Sequence, residues 1–265
     1  MFNWFESIIG YFSKKSKASD IDSVVVSGDE DNVVIETQKI IADGYEDNAV
    51  IEIQKAATDK PLDLMKVTFD KSPNQSERKD IVRAIVLHHT GPGTFNGIVN
   101  WLKDPNAKAA AHYVLGTVAE LSQLVNTTKK AWHAGASTWI IDGVSRLDLN
   151  NCTIGIEICN VGILFEKNGK YYYENGKRDP VEWKGITPIR ASITYPSGKI
   201  LEGYVVPYPD VQVEKLIALC KALVKKYPNI GRENILTHFN ISTPEGRKND
   251  PFGLDIQYVI RRIFG

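Results

Sequence analysis

The amino-acid sequence predicts an α/β fold, and three stretches carry this prediction. Residues 81–87 and 153–158 are short, mostly apolar runs rich in β-branched residues, which is typical of buried strands. After Asp210, apolar residues recur at helical spacing, so a helix capped by Asp210 is predicted to run until Pro228 ends it. The chain has 265 residues, of which 43% are hydrophobic, so we expect a packed core.

The remaining elements of this part are predicted in chain order. Helices are predicted at residues 95–102 and 254–264, strands at 111–116, 121–126 and 235–236, and β-hairpins with Asn-Gly and Ser-Gly turns between 162 and 209. The strand at residues 235–236 leads directly to a histidine, His238.

Residues 1–19 form an amphipathic N-terminal segment. Large apolar side chains fall on one helical face, followed by lysines: Phe2, Phe5, Ile8, Ile9 and Phe12, then Lys14, Lys15 and Lys17. This pattern favours either an interfacial helix that contacts a membrane surface through residues 1–17 or a helix packed on its own domain. The segment lacks the basic start and cleavage site of a secretory signal. No stretch of the sequence reaches the roughly 20 apolar residues of a membrane span.

Residues 20–75 are predicted to form an acidic two-unit repeat and a linker. Residues 28–39 match residues 44–55, and Asp-Asn before each apolar run predicts a helix N-cap, although the β-branched residues favour strand. Residues 72–76 are interpreted as the linker. The repeat is either a spacer or cap for the basic part of the chain or a small wall- or partner-binding module.

Charge is unevenly distributed along this neutral chain. Residues 1–19 carry a net charge of +2 and residues 20–60 carry −8, so residues 61–265 carry +6. A basic domain is attracted to anionic polymers such as bacterial wall or nucleic acid. Because no basic-aromatic nucleic-acid motif is present, the wall is the favoured partner and nucleic acid is not expected.

Five residues are candidates for chemistry. His88 ends the first buried strand, and alternation along the strand points it away from its neighbour His89, which is interpreted as structural. Glu157 is a lone carboxylate inside an apolar strand, where it is costly without a partner. His238 and Asp250 stand twelve residues apart across a loop rich in Gly and Pro, and both are zinc-ligand types. Lys248 precedes the aspartate by two residues.

The order of several motifs resembles zinc-dependent N-acetylmuramoyl-L-alanine amidases. The motifs are Leu87-His88-His89-Thr90, Ala111-His112-Tyr113, Ala131-Trp132-His133-Ala134-Gly135, Ile154-Gly155-Ile156-Glu157 and His238 followed by Gly246-Arg247-Lys248-Asn249-Asp250-Pro251. The family includes phage lysozyme-type amidases, anhydro-muropeptide recycling amidases and peptidoglycan recognition proteins. The resemblance covers roughly residues 80–263, and the last motif is most similar to the recycling branch. It implies a central, mostly mixed β-sheet flanked by helices within a zinc amidase domain at residues 76–265, preceded by a small N-terminal extension.

The resemblance also implies a role for each candidate. His88, His238 and Asp250 are expected to bind one Zn²⁺, with Glu157 as the general base and Lys248 stabilising the oxyanion. Trp132 and His133 are expected to line the substrate cleft. Two departures stand out: the loop after His238 is about two residues longer than in the recycling amidase, at residues 243–245, and Ala111 replaces a tyrosine of the phage enzymes. The longer loop puts the placement of Lys248 in doubt.

These expectations define two candidate functions. The first is a peptidoglycan hydrolase, lytic or wall-remodelling, that cleaves the amide between N-acetylmuramic acid and L-alanine in wall or soluble muropeptides. The second is a muropeptide-binding protein on the same fold that does not cleave. Three cysteines without paired spacing predict synthesis in a reducing cytoplasm. The expected substrate implies action on the bacterial cell wall. The protein is expected to be a monomer.

Overall fold

A computed structural model describes residues 67–174 and 180–265, together with the backbone of two short strands, β1 (Val25–Ser27) and β2 (Val34–Glu36). The contacts divide the chain into two compact units, Met1–Asp63 and Leu64–Gly265. In the first unit, β1 and β2 pair antiparallel. The amphipathic segment and the second repeat unit lie outside the described residues.

The helix predicted for the first repeat unit is wrong at Val34–Glu36, which is a strand. Valine and isoleucine side chains lose rotamer freedom against the preceding turn of a helix, whereas they fit an extended backbone. The β-branched pattern therefore outweighed the N-cap signal of the Asp-Asn pair.

A six-stranded mixed sheet forms the centre of the second unit and confirms the predicted fold class. Its strands are β3 (Thr68–Phe69), β5 (Ala84–His89), β6 (Tyr113–Leu115), β7 (Leu121–Gln123), β11 (Thr153–Ile158) and β17 (Ile235–Thr237). The spatial order is β17-β5-β11-β6-β7-β3. Neighbours run parallel except for the antiparallel pair of β6 and β7.

Helices cover this sheet. They are α1 (Phe95–Lys103), α2 (Asp210–Lys226), the one-turn α3 (His238–Ile241) and α4 (Ile256–Phe264), with 3-10 turns at Pro105–Ala107, Leu149–Asn151 and Arg232–Asn234. Alternate residues of β5 enter different cores: Ile85 and Leu87 pack with α2 and α4, whereas Ala84 and Val86 pack on the opposite face. This alternation sends the next two residues, His88 and His89, to opposite sides. None of the helices in the described part is long and apolar enough to span a bilayer.

The apolar stripe predicted for α2 is confirmed, but its predicted cap is wrong. Leu216, Cys220 and Leu223 are buried in the main core. The N-cap position is Pro209, whose backbone is extended, and Asp210 is the first helical residue. There its carboxylate lies in the first turn, where the helix dipole favours negative charge.

A second, five-stranded antiparallel sheet occupies the region predicted as hairpins. Its strands are β12 (Ile163–Lys167), β13 (Lys170–Glu174), β14 (Pro180–Trp183), β15 (Ile189–Thr194) and β16 (Ile200–Val205), in the order β14-β13-β12-β16-β15. The predicted Asn168-Gly169 turn joins β12 to β13, and both residues have positive φ, as a two-residue hairpin turn requires. The predicted turn at residues 175–176 lies outside the described residues.

The linker prediction for residues 72–76 is wrong. Ser72 and Asn74 are buried, and the Asn74 Nδ2 contacts the carbonyl oxygens of Leu102, Asp104 and Ala109 at 2.8–3.2 Å. Strand β4 (Gln75–Glu77) pairs antiparallel with β8 (Lys129–Ala131). A Ser-Pro-Asn-Gln-Ser run suits a linker by composition, yet tertiary hydrogen bonds place it inside the fold.

We therefore expect Asn74→Ala to lower the free energy of unfolding by about 2–3 kcal/mol, because the hydrogen bonds that its amide group donates to backbone carbonyls are lost. Asn100→Ala, at an exposed position on α1, is the matched control and should change stability little. Urea unfolding followed by circular dichroism measures both. Equal urea midpoints for Asn74→Ala and Asn100→Ala would contradict this expectation and support the interpretation of residues 72–76 as a linker.

Candidate active site

Three residues from distant parts of the sequence meet at the edge of the central sheet. His88 ends β5, His238 follows β17 as the first residue of α3, and the backbone carbonyl of Asp250 accepts a hydrogen bond from Phe239 N. The Nδ1 atoms of the two histidines are 2.9 Å apart, and Asp250 Oδ2 lies 3.1 Å from the first and 2.9 Å from the second. All three side chains are buried, so water does not separate these atoms.

The proton position on His238 follows from its second nitrogen. Nε2 lies 3.1 Å from the carbonyl oxygen of Ala134, which can only accept a hydrogen bond. Nε2 therefore carries the hydrogen, and Nδ1 presents a lone pair toward Asp250. This is the arrangement in which a backbone carbonyl orients a metal-binding imidazole.

The proton position on His88 follows from a longer chain of hydrogen bonds. The Thr153 hydroxyl donates its one hydrogen to the carbonyl of Leu149 at 2.7 Å, so its oxygen accepts from His133 Nε2 at 3.1 Å. His133 Nδ1 is then an acceptor and receives the Nε2–H of His88 at 3.0 Å. His88 Nδ1 is left with a lone pair that faces His238 and Asp250.

Two lone pairs and a carboxylate at such short separations repel one another unless a cation lies between them. The three ligand atoms lie within 4.8 Å of one another, so the group can hold a metal ion. Burial and the nearby His238 lower the pKa of His88 to about 4. Burial alone would raise the pKa of Asp250, but the two adjacent imidazoles outweigh burial and hold it well below the ordinary value. Neutral imidazole and ionised carboxylate are the forms that bind metal.

Glu157 lies beside this group on the adjacent strand. In the parallel pairing of β5 and β11 it is the register partner of His88. Its Oε2 is inaccessible to solvent and has no hydrogen-bond partner among the described residues. Burial, followed by the charge of Asp250, raises its pKa well above the ordinary value, while Lys248 opposes this rise. An unpaired buried carboxylate oxygen is available to accept a proton from a substrate or water.

Lys248 is half-buried in the loop between α3 and Asp250. Its positive charge lowers the pKa of Glu157, His88 and His89, so the ammonium group acts on both predicted parts of the site. Glu157 and the three predicted metal ligands are therefore brought to one place, and the charge of Lys248 acts on this group.

The other predicted residues lie around this site in different ways. His133 lies behind His88 and fixes its tautomer, and it is partly exposed. Trp132 is partly exposed, and its Nε1 donates to Ser76 Oγ at 3.2 Å. His89 points away, as predicted, and its Nδ1 accepts from Phe252 N at 3.0 Å. His112 Nδ1 accepts from Gly155 N at 3.0 Å on the strand that carries Glu157.

Arg78 is a supporting residue that sequence reasoning missed. Its guanidinium is largely buried and contacts the carbonyl oxygens of Lys129, Asn151 and Thr153 at 2.8–3.0 Å. These contacts tie β8 and the start of β11 together behind His133. A single arginine ahead of a strand gives no sequence signal for such a role, because its partners are backbone carbonyls that any residue supplies.

Comparison with known proteins agrees with this geometry. A model of the N-acetylmuramoyl-L-alanine amidase family matches residues 77–253. The N-acetylmuramoyl-L-alanine amidase A of Achromobacter lyticus is 28% identical over 74 residues, which span 28% of this chain and 41% of that enzyme. The 1,6-anhydro-N-acetylmuramyl-L-alanine amidase AmpD of Citrobacter freundii is 28% identical over 186 residues, 63% of this chain and 72% of AmpD. A crystal structure of selenomethionine AmpD superposes with a TM-score of 0.50 and 25% identity, covering 75% of this chain and 94% of AmpD.

The fold and the His-His-Asp group define a hydrolase-type site that can hold a metal ion. Because the family model covers most of the second unit, the chain belongs to the N-acetylmuramoyl-L-alanine amidase family.

The buried histidines predict how stability depends on pH. Burial and the nearby Arg78 lower the pKa of His112 to about 3. Between this value and the unfolded pKa of about 6.5, the unfolded chain binds a proton that the folded chain does not. The free energy of unfolding should therefore fall as pH falls through this window, by up to about 1.4 kcal/mol per pH unit for His112.

Urea unfolding of the metal-free protein between pH 7.5 and 4.5 measures this slope. His112→Asn keeps an acceptor for Gly155 N but does not titrate, so its slope should be smaller than that of the wild type. Parallel slopes would show that His112 is not held neutral by burial.

Proposed function

We propose that the protein is a zinc-dependent amidase that hydrolyses the amide between the lactyl group of N-acetylmuramic acid and L-alanine in peptidoglycan or soluble muropeptides. The observation that carries this proposal is the convergence of the lone pairs of His88 and His238 with Asp250, next to the unpaired Oε2 of Glu157. Family membership supports the proposed scissile bond, since the family is named for hydrolysis of the amide between N-acetylmuramic acid and L-alanine.

The donor set favours zinc over harder cations. Two imidazole nitrogens and one carboxylate oxygen are ligands that Zn²⁺ accepts, whereas Mg²⁺ and Ca²⁺ prefer oxygen throughout. We expect one Zn²⁺ held by His88, His238 and Asp250, because three protein ligands leave a position open for chemistry. When bound, the ion supplies Lewis acidity, which polarises a carbonyl and lowers the pKa of water.

The side chains of Glu157 and Lys248 supply the proton transfer and the charge stabilisation that the reaction needs. Glu157 must be ionised to accept a proton, and a cation bound beside it together with Lys248 opposes the rise in its pKa that burial causes. Glu157 then takes the proton from the attacking water and delivers it to the leaving amine. Lys248 places a positive charge where negative charge develops on the carbonyl oxygen.

A groove lies on the side of the fold to which His89 points, and none of the predicted metal ligands or catalytic residues lines it. Its volume is about 680 Å³, and it runs between the loop after β5 and the faces of β12 and β16. Asn249, next to Asp250, lies at its inner side, and its lining includes Phe165, Tyr204 and Glu202.

We further propose that the chain is made in a reducing cytoplasm and acts on bacterial wall material. The free state of Cys152, Cys159 and Cys220, all buried, supports the first part. The expected substrate supports the second.

Metal content gives the first test. The purified protein should contain about one zinc per chain, and His88→Ala, His238→Ala and Asp250→Ala should each lose it, since the remaining two ligands bind weakly. His89→Asn, which changes the adjacent histidine but keeps an acceptor for Phe252 N, should retain it. Inductively coupled plasma mass spectrometry after gel filtration measures all five proteins, and stoichiometric zinc in any of the three ligand variants refutes the ligand set.

Activity gives the second test. Glu157→Gln should keep the zinc and the fold but lower kcat on the order of 100-fold or more, because the amide cannot accept the proton. Glu182→Gln, on the far strand β14, is the control. The assay follows new L-alanine amino termini released from soluble muropeptides and from purified sacculi.

The two candidate functions give different results in this assay. Near-normal turnover by Glu157→Gln would remove this residue from the mechanism. Binding of muropeptide without hydrolysis by the zinc-loaded wild type would instead favour the binding-protein alternative.

A further inference from the structure

The five-stranded antiparallel sheet lies between β11 and α2 in chain order and is called the inserted sheet below. It contacts the loop that carries Lys248. This loop, residues 242–250, is the segment whose added length put the placement of Lys248 in doubt. The turn between β15 and β16, residues 195–198, lies against it. The two segments are about fifty residues apart in sequence, so the contact is purely tertiary.

Two side chains of the turn bind the loop at separate points. The hydroxyl of Tyr195 donates to the backbone carbonyl of Lys248 at 3.2 Å. Ser197 binds the Glu245 carboxylate through its backbone N–H, at 3.0 Å from Oε2, and through its hydroxyl. Glu245 is one of the residues that lengthen the loop, so the added segment supplies the group that the turn holds.

Tyr195 is itself held rigidly. Its side chain is 4% exposed, and its ring packs edge-on against Phe239, with centroids 6.0 Å apart. Both rings belong to a core that also contains Phe252, two residues after Asp250. The hydroxyl group is therefore fixed relative to both ends of the loop.

The opposite side of the loop is anchored to the segment that follows His133. The Arg247 guanidinium donates to the carbonyls of Ala136 at 2.7 Å and Ala134 at 3.3 Å. Residues 243–247 are otherwise exposed, and Gly246 has a φ of 81°. A loop of this kind has high conformational entropy unless tertiary contacts restrict it.

We propose that the 195–198 turn is a clamp that positions Lys248. Tyr195 fixes the backbone of Lys248 itself, and Ser197 with Glu245 fixes the approach to it. Tyr195, Ser197 and Glu245 are positioning residues that act through Lys248 without contacting substrate. The link to catalysis rests on the proposed function, whereas the restriction of the loop does not.

Trypsin cleavage tests directly whether the 195–198 turn restricts the motion of the loop, because trypsin cleaves after Arg247 and Lys248. Tyr195→Phe removes only the hydroxyl and keeps the buried ring. We expect the Tyr195→Phe/Ser197→Ala double variant to be cut at these two bonds at least about fivefold faster than the wild type, since the loop opens more often. Mass spectrometry identifies the sites, and urea unfolding checks that global stability is not the cause.

Kinetics on soluble muropeptide test the consequence. The double variant should lose kcat about tenfold with KM nearly unchanged and zinc retained, because misplacement of Lys248 affects the transition state more than binding. Glu245→Ala should lose kcat as well, whereas Glu245→Gln keeps one acceptor oxygen for the Ser197 N–H and an amide group that can donate to the Ser197 hydroxyl, so it should restore most of it. Tyr173→Phe and Ser192→Ala, on the same inserted sheet but away from the loop, should behave as wild type in both assays.

The outcomes separate the clamp from the proposed function. Unchanged cutting in the double variant overturns the clamp, and so does a loss of kcat without faster cutting at residues 247–248. If the wild type hydrolyses no muropeptide, the proposed function fails, and the cutting rates still decide whether the turn restrains the loop.

Discussion

The structure is organised around a repulsion between three buried groups that a bound cation would relieve. His88 Nδ1, His238 Nδ1 and Asp250 Oδ2 are held within about 3 Å of one another, and hydrogen bonds on the far side of each imidazole prevent either ring from offering a proton. Because the three groups are buried, water stabilises their lone pairs and negative charge only a little, whereas a shared metal ion would stabilise them strongly. The surrounding fold supplies the rigidity that keeps them in place without it.

That rigidity comes from layers behind the site. Thr153 and His133 determine the proton position on His88, and Ala134 determines it on His238. Arg78 holds the strand ends that carry this network through backbone carbonyls. The lone carboxylate of Glu157 is then placed by strand register alone, which keeps it beside His88. The predicted metal ligands and the proposed base are thus held by different parts of the sheet.

Two segments strengthen the fold around the site through contacts that the sequence did not predict. Residues 72–76 are not a linker, because the Asn74 amide group contacts backbone carbonyls at the end of α1 and in the segment that follows it. The inserted sheet is more than a wall of the groove, because its 195–198 turn meets the loop that carries Lys248. In each case an irregular stretch gains its order from partners far away in sequence.

The sequence by itself determined the strands that carry His88 and Glu157, the apolar stripe of α2, the hairpins of the inserted sheet and the candidate residues. These features depend on short-range periodicity or on residue types in a recognisable order. Only the tertiary structure decided the tautomers, the location of His133 behind His88, the burial of Asn74 and the anchoring of the Lys248 loop. Each of these depends on a hydrogen bond between groups separated by many residues, often to a backbone carbonyl, which has no sequence signature.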